Sequence, residues 1–109
     1  MELVNAQHLM QMNPGGFNAP TEQQVTNMAG PADSDGNLIT PFYAQVCLSG
    51  ERFWLKILYR SSFSGIYQGI VDNDLVGTVE HGIKLGDQLH ACWFNFYKIM
   101  PAGNNFKPN

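Results

Sequence analysis

Two runs of alternating apolar residues, separated by one tight turn, constrain the fold of this chain more than any other feature. In residues 42–48 every second side chain is apolar, namely Phe42, Ala44, Val46 and Leu48. In residues 52–60, alternation divides the side chains between two faces of a strand. One face carries Phe53, Leu55, Ile57 and Tyr59. The other face carries Arg52, Trp54, Lys56, Leu58 and Arg60. Ser49-Gly50-Glu51 between them is typical of a hairpin turn. The pattern predicts two antiparallel strands with one buried face.

Further strands are predicted at residues 65–71, where Ile66 and Ile70 share a face, and at 88–94 and 97–100, with a weaker element at 78–80. Five or six short strands with little helix predict an α+β, mostly β fold. The expected form is a small SH3-like half-open barrel of antiparallel strands, which protects its strand edges. The 109 residues suit a single domain. We divide it into an N-terminal segment (1–40), a β core (41–100) and a flexible polar tail (101–109).

One short helix is predicted in the N-terminal segment. Thr21 suits the N-cap position because its hydroxyl can accept a backbone N–H, and Gln24 stands at the reciprocal capping-box position. The helix should cover residues 22–28 and stop before Gly30-Pro31. Three arrangements of the Met-rich segment stay open: it folds over the barrel, exchanges into a second copy, or orders only on a partner. A homodimer is therefore an alternative.

The charge pattern favours a protein partner over a nucleic acid. The net charge is −3, whereas general nucleic-acid binders are normally basic. Only 14% of the residues are charged, so neutral and apolar groups must cover much of the surface, and such surfaces often bind another protein. No lysine or arginine precedes Arg52, which leaves the first half of the chain purely acidic.

The sequence predicts a cytoplasmic protein that makes no membrane contact. Residues 1–12 lack the basic and apolar regions of a secretory signal. No apolar stretch reaches the ~18 residues of a membrane span. Cys47 and Cys92 lie in strand-like runs, and we expect two reduced thiols.

No pattern in the chain indicates catalysis or metal binding. There is no G-x-S-x-G, H-x-x-x-H or C-x-x-C sequence, and neither cysteine has a histidine at a recognisable spacing. We therefore expect no catalytic residue, no metal, no cofactor and no enzymatic activity. A small hydrolase built on Asp72, Asp74 and His81 is the least favoured alternative, because turn-capping carboxylates explain the same residues.

The second face of the 52–60 run is the candidate binding surface. Trp and Arg dominate the energetic centres of protein interfaces, so Trp54 is a candidate anchor. Alternatively, Trp54 stacks a single-stranded base while the cations meet phosphates. In a third interpretation, Trp54 is buried under the N-terminal segment among basic side-chain stems. Together with neighbouring loops, the candidate partner-binding residues are Arg52, Trp54, Lys56, Arg60, Tyr67, Asp72, Asp74 and His81.

Three pieces of the β core carry a resemblance: Gly50-Glu51-Arg52-Phe53-Trp54-Leu55-Lys56-Ile57, Gly69-Ile70-Val71-Asp72-Asn73-Asp74-Leu75 and His81-Gly82-Ile83-Lys84-Leu85-Gly86-Asp87. In sequence and spacing they resemble small uncharacterised proteins of phages, plasmids and bacteria, related in style to the YegJ-like domains of unknown function. The resemblance covers residues 50–100 and implies a compact, mostly β domain of SH3-like size. It implies a home on mobile elements and carries over no catalytic residue.

The resemblance makes the expected function concrete. A phage or other viral protein in the host cytoplasm would bind a host protein or protein complex. The expectation is an inhibitor of a host defence system, anti-CRISPR-like, that acts by steric occlusion through the Trp54 face and the loops around Asp72 and His81. A single-stranded nucleic-acid-binding small barrel is the alternative.

Overall fold

The structure, a computed structural model, describes residues 2–13, 15, 17–61, 65–73, 75 and 82–102. Within these ranges the chain forms two short helices and a five-stranded antiparallel sheet. The elements are α1 (Ala6–Met12), α2 (Glu22–Ala29), β1 (Asn37–Leu48), β2 (Glu51–Arg60), β3 (Ile66–Val71), β4 (Gln88–Cys92) and β5 (Lys98–Pro101), with a 3-10 turn at Trp93–Asn95. The predicted α+β, mostly β fold is confirmed.

The strands lie in the order β4-β3-β2-β1-β5. The first four form a meander, and β5 returns to pair with β1, so that Gln45 of β1 lies between Trp54 of β2 and Lys98 of β5. Among the described strands β4 and β5 do not pair, so the sheet is open rather than closed into a barrel. The weak strand predicted at 78–80 and residues 103–109 of the predicted tail lie outside the described residues.

The core lies on the face of the sheet that α2 covers, which we call the inner face. The alternation predicted for the hairpin is confirmed there, with these strand residues buried: Phe42, Ala44, Val46, Leu48, Phe53, Leu55 and Ile57. Val25 and Ala29 of α2 pack against them. Full burial of each large apolar side chain stabilises the fold by about 1.5–3 kcal/mol. The inner face is therefore structural, which leaves the opposite face as the larger candidate surface.

The predicted capping box of α2 is confirmed. The backbone N–H of Gln24 donates to Thr21 Oγ1 at 3.1 Å, and the backbone N–H of Thr21 donates to Gln24 Oε1 at 2.8 Å. The helix ends before Gly30, whose φ of +64° suits glycine. Local hydrogen bonding thus sets where α2 begins, and α2 in turn closes the core.

The prediction of a single helix is wrong, because Ala6–Met12 is also helical. Asn5 caps this helix, since its Oδ1 accepts from the backbone N–H of His8 at 3.0 Å. Gln7 Nε2 donates to the carbonyl of Pro20 at 2.7 Å and ties α1 to the chain that follows it. Ala6 is buried against Cys47 and Tyr97. The N-terminal segment thus folds over its own sheet, the first of the three arrangements that the sequence left open.

A register shift in β2 reverses the direction of its last side chains. Ile57 pairs with Gly69 and Tyr59 pairs with Gln68, so Leu58 is the extra residue of an irregularity between them. Directly paired residues of antiparallel strands share a face. Tyr59 therefore lies on the outer face with Gln68, and Arg60 lies on the inner side with Tyr67. The faces predicted for Tyr59 and Arg60 from strict alternation are wrong for this reason.

Candidate functional site

The outer face is the side of the sheet opposite α2, and its two ends differ. At one end, Cys47 and Arg52 are paired, and Val4 donates its backbone N–H to the carbonyl of Cys47 at 2.9 Å. The N-terminal segment covers this end through the cluster of Ala6, Cys47 and Tyr97. At the other end, the strand pairing brings side chains of β2, β3 and β4 side by side. In the described part of the chain, α1 and α2 make no extensive contact with β2, β3 or β4.

Arg52 is engaged within the protein. Its guanidinium carbon lies 4.4 Å from the ring centroid of Tyr97 and 5.9 Å from that of Phe17. A cation over an aromatic face is attracted by the ring's electrostatic quadrupole. Arg52 is exposed to solvent, but its charge helps to hold the N-terminal segment on the sheet.

Two aromatic residues of the predicted site are buried. Trp54 is only 9% exposed, its backbone N–H donates to Asn73 Oδ1 at 2.6 Å, and its carbonyl accepts from the N–H of Asp72 at 2.9 Å. Tyr67 lies in the core, with its ring centroid 5.8 Å from that of Phe42. Neither ring offers an exposed surface to a partner. For Trp54 this matches the interpretation in which the indole is buried.

The remaining predicted residues do not form one face. Lys56 is half-buried on the outer face between Tyr43 and Ile70, whereas Arg60 lies on the inner side for the reason given above. Asp72 hydrogen-bonds the hydroxyl of Tyr43; burial first, and then this hydrogen bond and the negative charge, raise the pKa of Tyr43. Asp74 and His81 lie outside the described residues.

A different surface emerges at the uncovered end of the outer face. The strand register places seven side chains there, which we call the outer patch: Lys56, Tyr59, Ile66, Gln68, Ile70, Gln88 and His90. Ile66 is 37% exposed, and Gln68 Nε2 donates to Gln88 Oε1 at 3.0 Å. Two shallow cavities of about 200 and 390 Å³ open along Tyr59 and Gln68.

The chemistry of the outer patch is mostly neutral. Lys56 is its one formally charged residue when histidine is counted as neutral. The other groups are apolar side chains, a tyrosine ring and the amides of Gln68 and Gln88, which donate and accept hydrogen bonds. This mixture resembles a protein–protein interface, where charged residues are depleted from the core and tyrosine is enriched.

Sequence reasoning missed the outer patch for a specific reason. It placed Ile66 and Ile70 on one face, which is correct, but an alternating pair of isoleucines is equally typical of a core-facing strand. In the structure Tyr67 and Val71 face the core instead, and the two isoleucines lie on the outer face. The one signal in the sequence was that both faces of β3 carry apolar residues, so one of the two faces had to lie outside the core.

The described residues offer no metal centre and no disulfide. Within them, no group of three or more His, Cys, Asp or Glu side chains is arranged to hold a metal ion. Cys47 and Cys92 are free thiols on β1 and β4. Two strands separate β1 from β4, and Cys47 lies beside Arg52 at the start of β2 whereas Cys92 lies beside Ile66, next to the end of β2, so the two thiols are beyond disulfide reach.

Across the described part of the chain, neither helix has the length and apolar character needed to traverse a bilayer. Comparisons with protein-family models, with curated proteins and with solved structures give no match. The resemblance to the YegJ-like domains therefore stays a prediction.

Proposed function

We propose that this chain is a non-catalytic protein-binding module whose contact surface is the outer patch. One observation carries the proposal: Tyr59, Ile66 and Ile70 lie partly exposed around Gln68 on one face of the sheet, and α1 and α2 make no extensive contact with β2, β3 or β4. Exposed apolar groups interspersed with neutral polar groups are typical of binding sites. Such a sheet face suits a folded partner with a similarly neutral surface.

The arrangement of the basic residues supports a protein partner over single-stranded nucleic acid. Base stacking needs an exposed aromatic ring, and phosphate binding needs several cations along the same surface. Trp54 is buried, Arg52 stacks on Tyr97, and Arg60 lies on the other side of the sheet. Lys56 alone stays on the patch.

The hydrolase alternative has no observation in its favour. Asp72 is hydrogen-bonded to Tyr43, and its two supposed partners, Asp74 and His81, lie outside the described residues.

The resemblance to phage-encoded proteins suggests the kind of partner. We propose a host protein complex of a defence system, such as a CRISPR effector, with steric occlusion as the mechanism. Occlusion requires only that a stable surface be held against the partner. A second copy of this chain is the competing occupant of the same patch.

A substitution of the most exposed apolar residue of the patch tests the proposal. Ile66→Asp places a charge among the exposed apolar groups, whereas Ile39→Asp, the control, alters an isoleucine that is 65% exposed elsewhere on β1. Tagged wild-type and variant proteins are incubated with host lysate, with and without nuclease, and captured proteins are quantified by mass spectrometry. We expect a stoichiometric partner that survives nuclease. Ile66→Asp should weaken its binding about tenfold or more, while Ile39→Asp keeps it.

Three outcomes contradict this function. If a folded Ile66→Asp variant binds the partner as well as wild type does, the outer patch is not the contact surface. Loss of every captured protein after nuclease favours nucleic acid. A wild-type dimer in sedimentation that Ile66→Asp converts to a monomer, with no host partner captured, assigns the patch to self-association.

A further inference from the structure

A second surface lies at the opposite edge of the sheet. A cavity of about 1050 Å³ runs along β5, with α2 on one side and the chain around residues 18–20 on the other. We call it the β5 slot. Its walls include Pro20, Asn27 and Met28, and its floor is formed by Lys98, Ile99 and Met100.

Among the described residues, the floor of the slot is a strand edge without a second partner strand. Among the described strands β5 pairs with β1 alone, through Gln45↔Lys98 to Phe42↔Pro101. On its other side, the backbone of residues 98–101 makes no hydrogen bond to any described residue. Free N–H and C=O groups along an edge can pair with an extended segment of another chain.

The two faces of β5 would offer different contacts to an added strand. Lys98 and Met100 pair with Gln45 and Tyr43, which places them on the outer side. Ile99 pairs with Ala44 on the inner side, where it packs with the core beneath α2. Side chains of an added strand would alternate in the same way. One set would meet Lys98, and the other would meet Met28 and Asn27 of α2.

The charge of the slot selects the peptide. Lys98 is the only ionisable residue among those that line it, and no described acidic side chain contacts it. Met28 and Ile99 provide apolar contact on the inner side of β5. We propose that the β5 slot binds an extended acidic peptide segment as an added strand, with acidic residues toward Lys98 and apolar residues toward α2. This surface is separate from the outer patch, so neither proposal depends on the other.

A peptide pair tests the proposal directly. The probe is a short, acetylated and amidated peptide of alternating glutamate and valine, and its matched control alternates lysine and valine. We expect the glutamate peptide to bind at least about tenfold more tightly in a calorimetric titration. Hydrogen exchange followed by NMR should show new protection of those backbone amides of residues 98–100 that do not already donate to β1, since alternate residues of a strand donate to opposite neighbours. No binding of the glutamate peptide, or protection confined to β4, overturns the proposal.

Three variants locate the peptide. Lys98→Glu should reverse the preference toward the lysine peptide. Asn27→Trp should fill the slot and lower affinity about tenfold or more. Gln23→Trp is its control, since Gln23 is exposed on the same helix outside the slot and both variants lose the 2.8 Å bond from Gln23 Nε2 to Asn27 Oδ1. If Asn27→Trp and Gln23→Trp bind the peptide equally well, the peptide does not bind in the β5 slot. Ile66→Asp should bind the peptide like wild type, which keeps this test apart from that of the outer patch.

Discussion

The guanidinium carbon of Arg52 lies 4.4 Å from the ring centroid of Tyr97, and Phe17 meets the same ring edge-on at 5.0 Å. These three residues come from β2, from the chain just before β5 and from the N-terminal segment. Arg52, predicted from the sequence to bind a partner, thus contacts rings from two other parts of the same chain. The stacked arrangement makes the contribution of Arg52 to stability measurable.

Arg52→Met keeps most of the side-chain length and removes the charge over Tyr97. We expect the free energy of unfolding to fall by about 0.5–1 kcal/mol, the usual contribution of an exposed cation over a ring. Urea denaturation followed by fluorescence measures it. Lys98→Met, which removes an exposed cation outside any described ring contact, is the control and should change stability little. Equal losses in the two variants would show that the stacking contributes nothing.

Thr21→Ala removes the side chain that caps α2. The hydroxyl accepts the backbone N–H of Gln24, so its loss should lower the free energy of unfolding by about 1 kcal/mol. Gln23→Ala, an exposed change in the first turn of the same helix, should cost less. Chemical denaturation measures the free energy of unfolding of both variants. A Thr21→Ala variant as stable as Gln23→Ala would contradict the role of the cap.

Gly36→Ala should destabilise the protein more than Gly50→Ala. Both glycines have positive φ, +93° and +81°, so both substitutions carry the cost of a left-handed backbone, about 1–2 kcal/mol. A Cβ at Gly36 would also lie 2.7 Å from the carbonyl oxygen of Arg60 and overlap the Tyr59 ring, whereas a Cβ at Gly50 meets open space. Thermal unfolding should therefore give a lower Tm for Gly36→Ala. If the two variants have the same Tm, the end of β2 can shift to make room for the new methyl group at no measurable cost in stability.

The stability of the protein should fall at alkaline pH, in part because of Tyr43. Burial, followed by the hydrogen bond and charge of Asp72, raises its pKa above the ordinary value of 10.0. The folded state therefore keeps a proton that the unfolded chain releases above about pH 10. This contribution is fully present below that pH and is lost as the pH rises through the folded pKa.

Tyr43→Phe removes this proton linkage. The free energy of unfolding of the variant, measured by denaturation from about pH 8 to about pH 11, should fall less steeply than that of wild type. Asp72→Asn keeps a hydrogen-bonding side chain without the charge, and absorbance titration should show Tyr43 ionising at lower pH in it. Burial also raises the pKa of Tyr67 and Tyr97, so a residual slope is expected in Tyr43→Phe. A slope identical to wild type would contradict the linkage.

Features determined by neighbouring residues were predictable from the sequence. The alternation of residues 42–48 and 53–57 gave the buried face of the hairpin, and Thr21 with Gln24 gave the start of α2. The start of α1 also had a local signal, since Asn5 precedes it and caps it. The composition of residues 6–12 lacks the charged residues that usually mark an exposed helix, which is why the helix was not expected.

Features determined by pairing between strands were not predictable. The irregularity at Leu58 leaves no mark in the alternation of β2, yet it moves Arg60 away from Lys56. The backbone contacts of Trp54 are made with the chain that follows β3, where Asn73 accepts its backbone N–H. The outer patch arises from the register of three strands, and the β5 slot depends on the position of α2 beside the last strand. Neither surface has a motif of its own.

The contacts of Arg52 and Phe17 with the Tyr97 ring have a consequence for how the protein is made. A ribosome adds residues from the amino end, so α1 leaves it long before Tyr97 has been synthesised. Until then the cluster against which Val4, Leu9 and Phe17 pack in the finished protein lacks its largest member, Tyr97. Such transiently exposed apolar surface is prone to aggregation and is what chaperones recognise. Until Tyr97 has been synthesised, the first helix of the nascent chain therefore lacks a main part of its docking site.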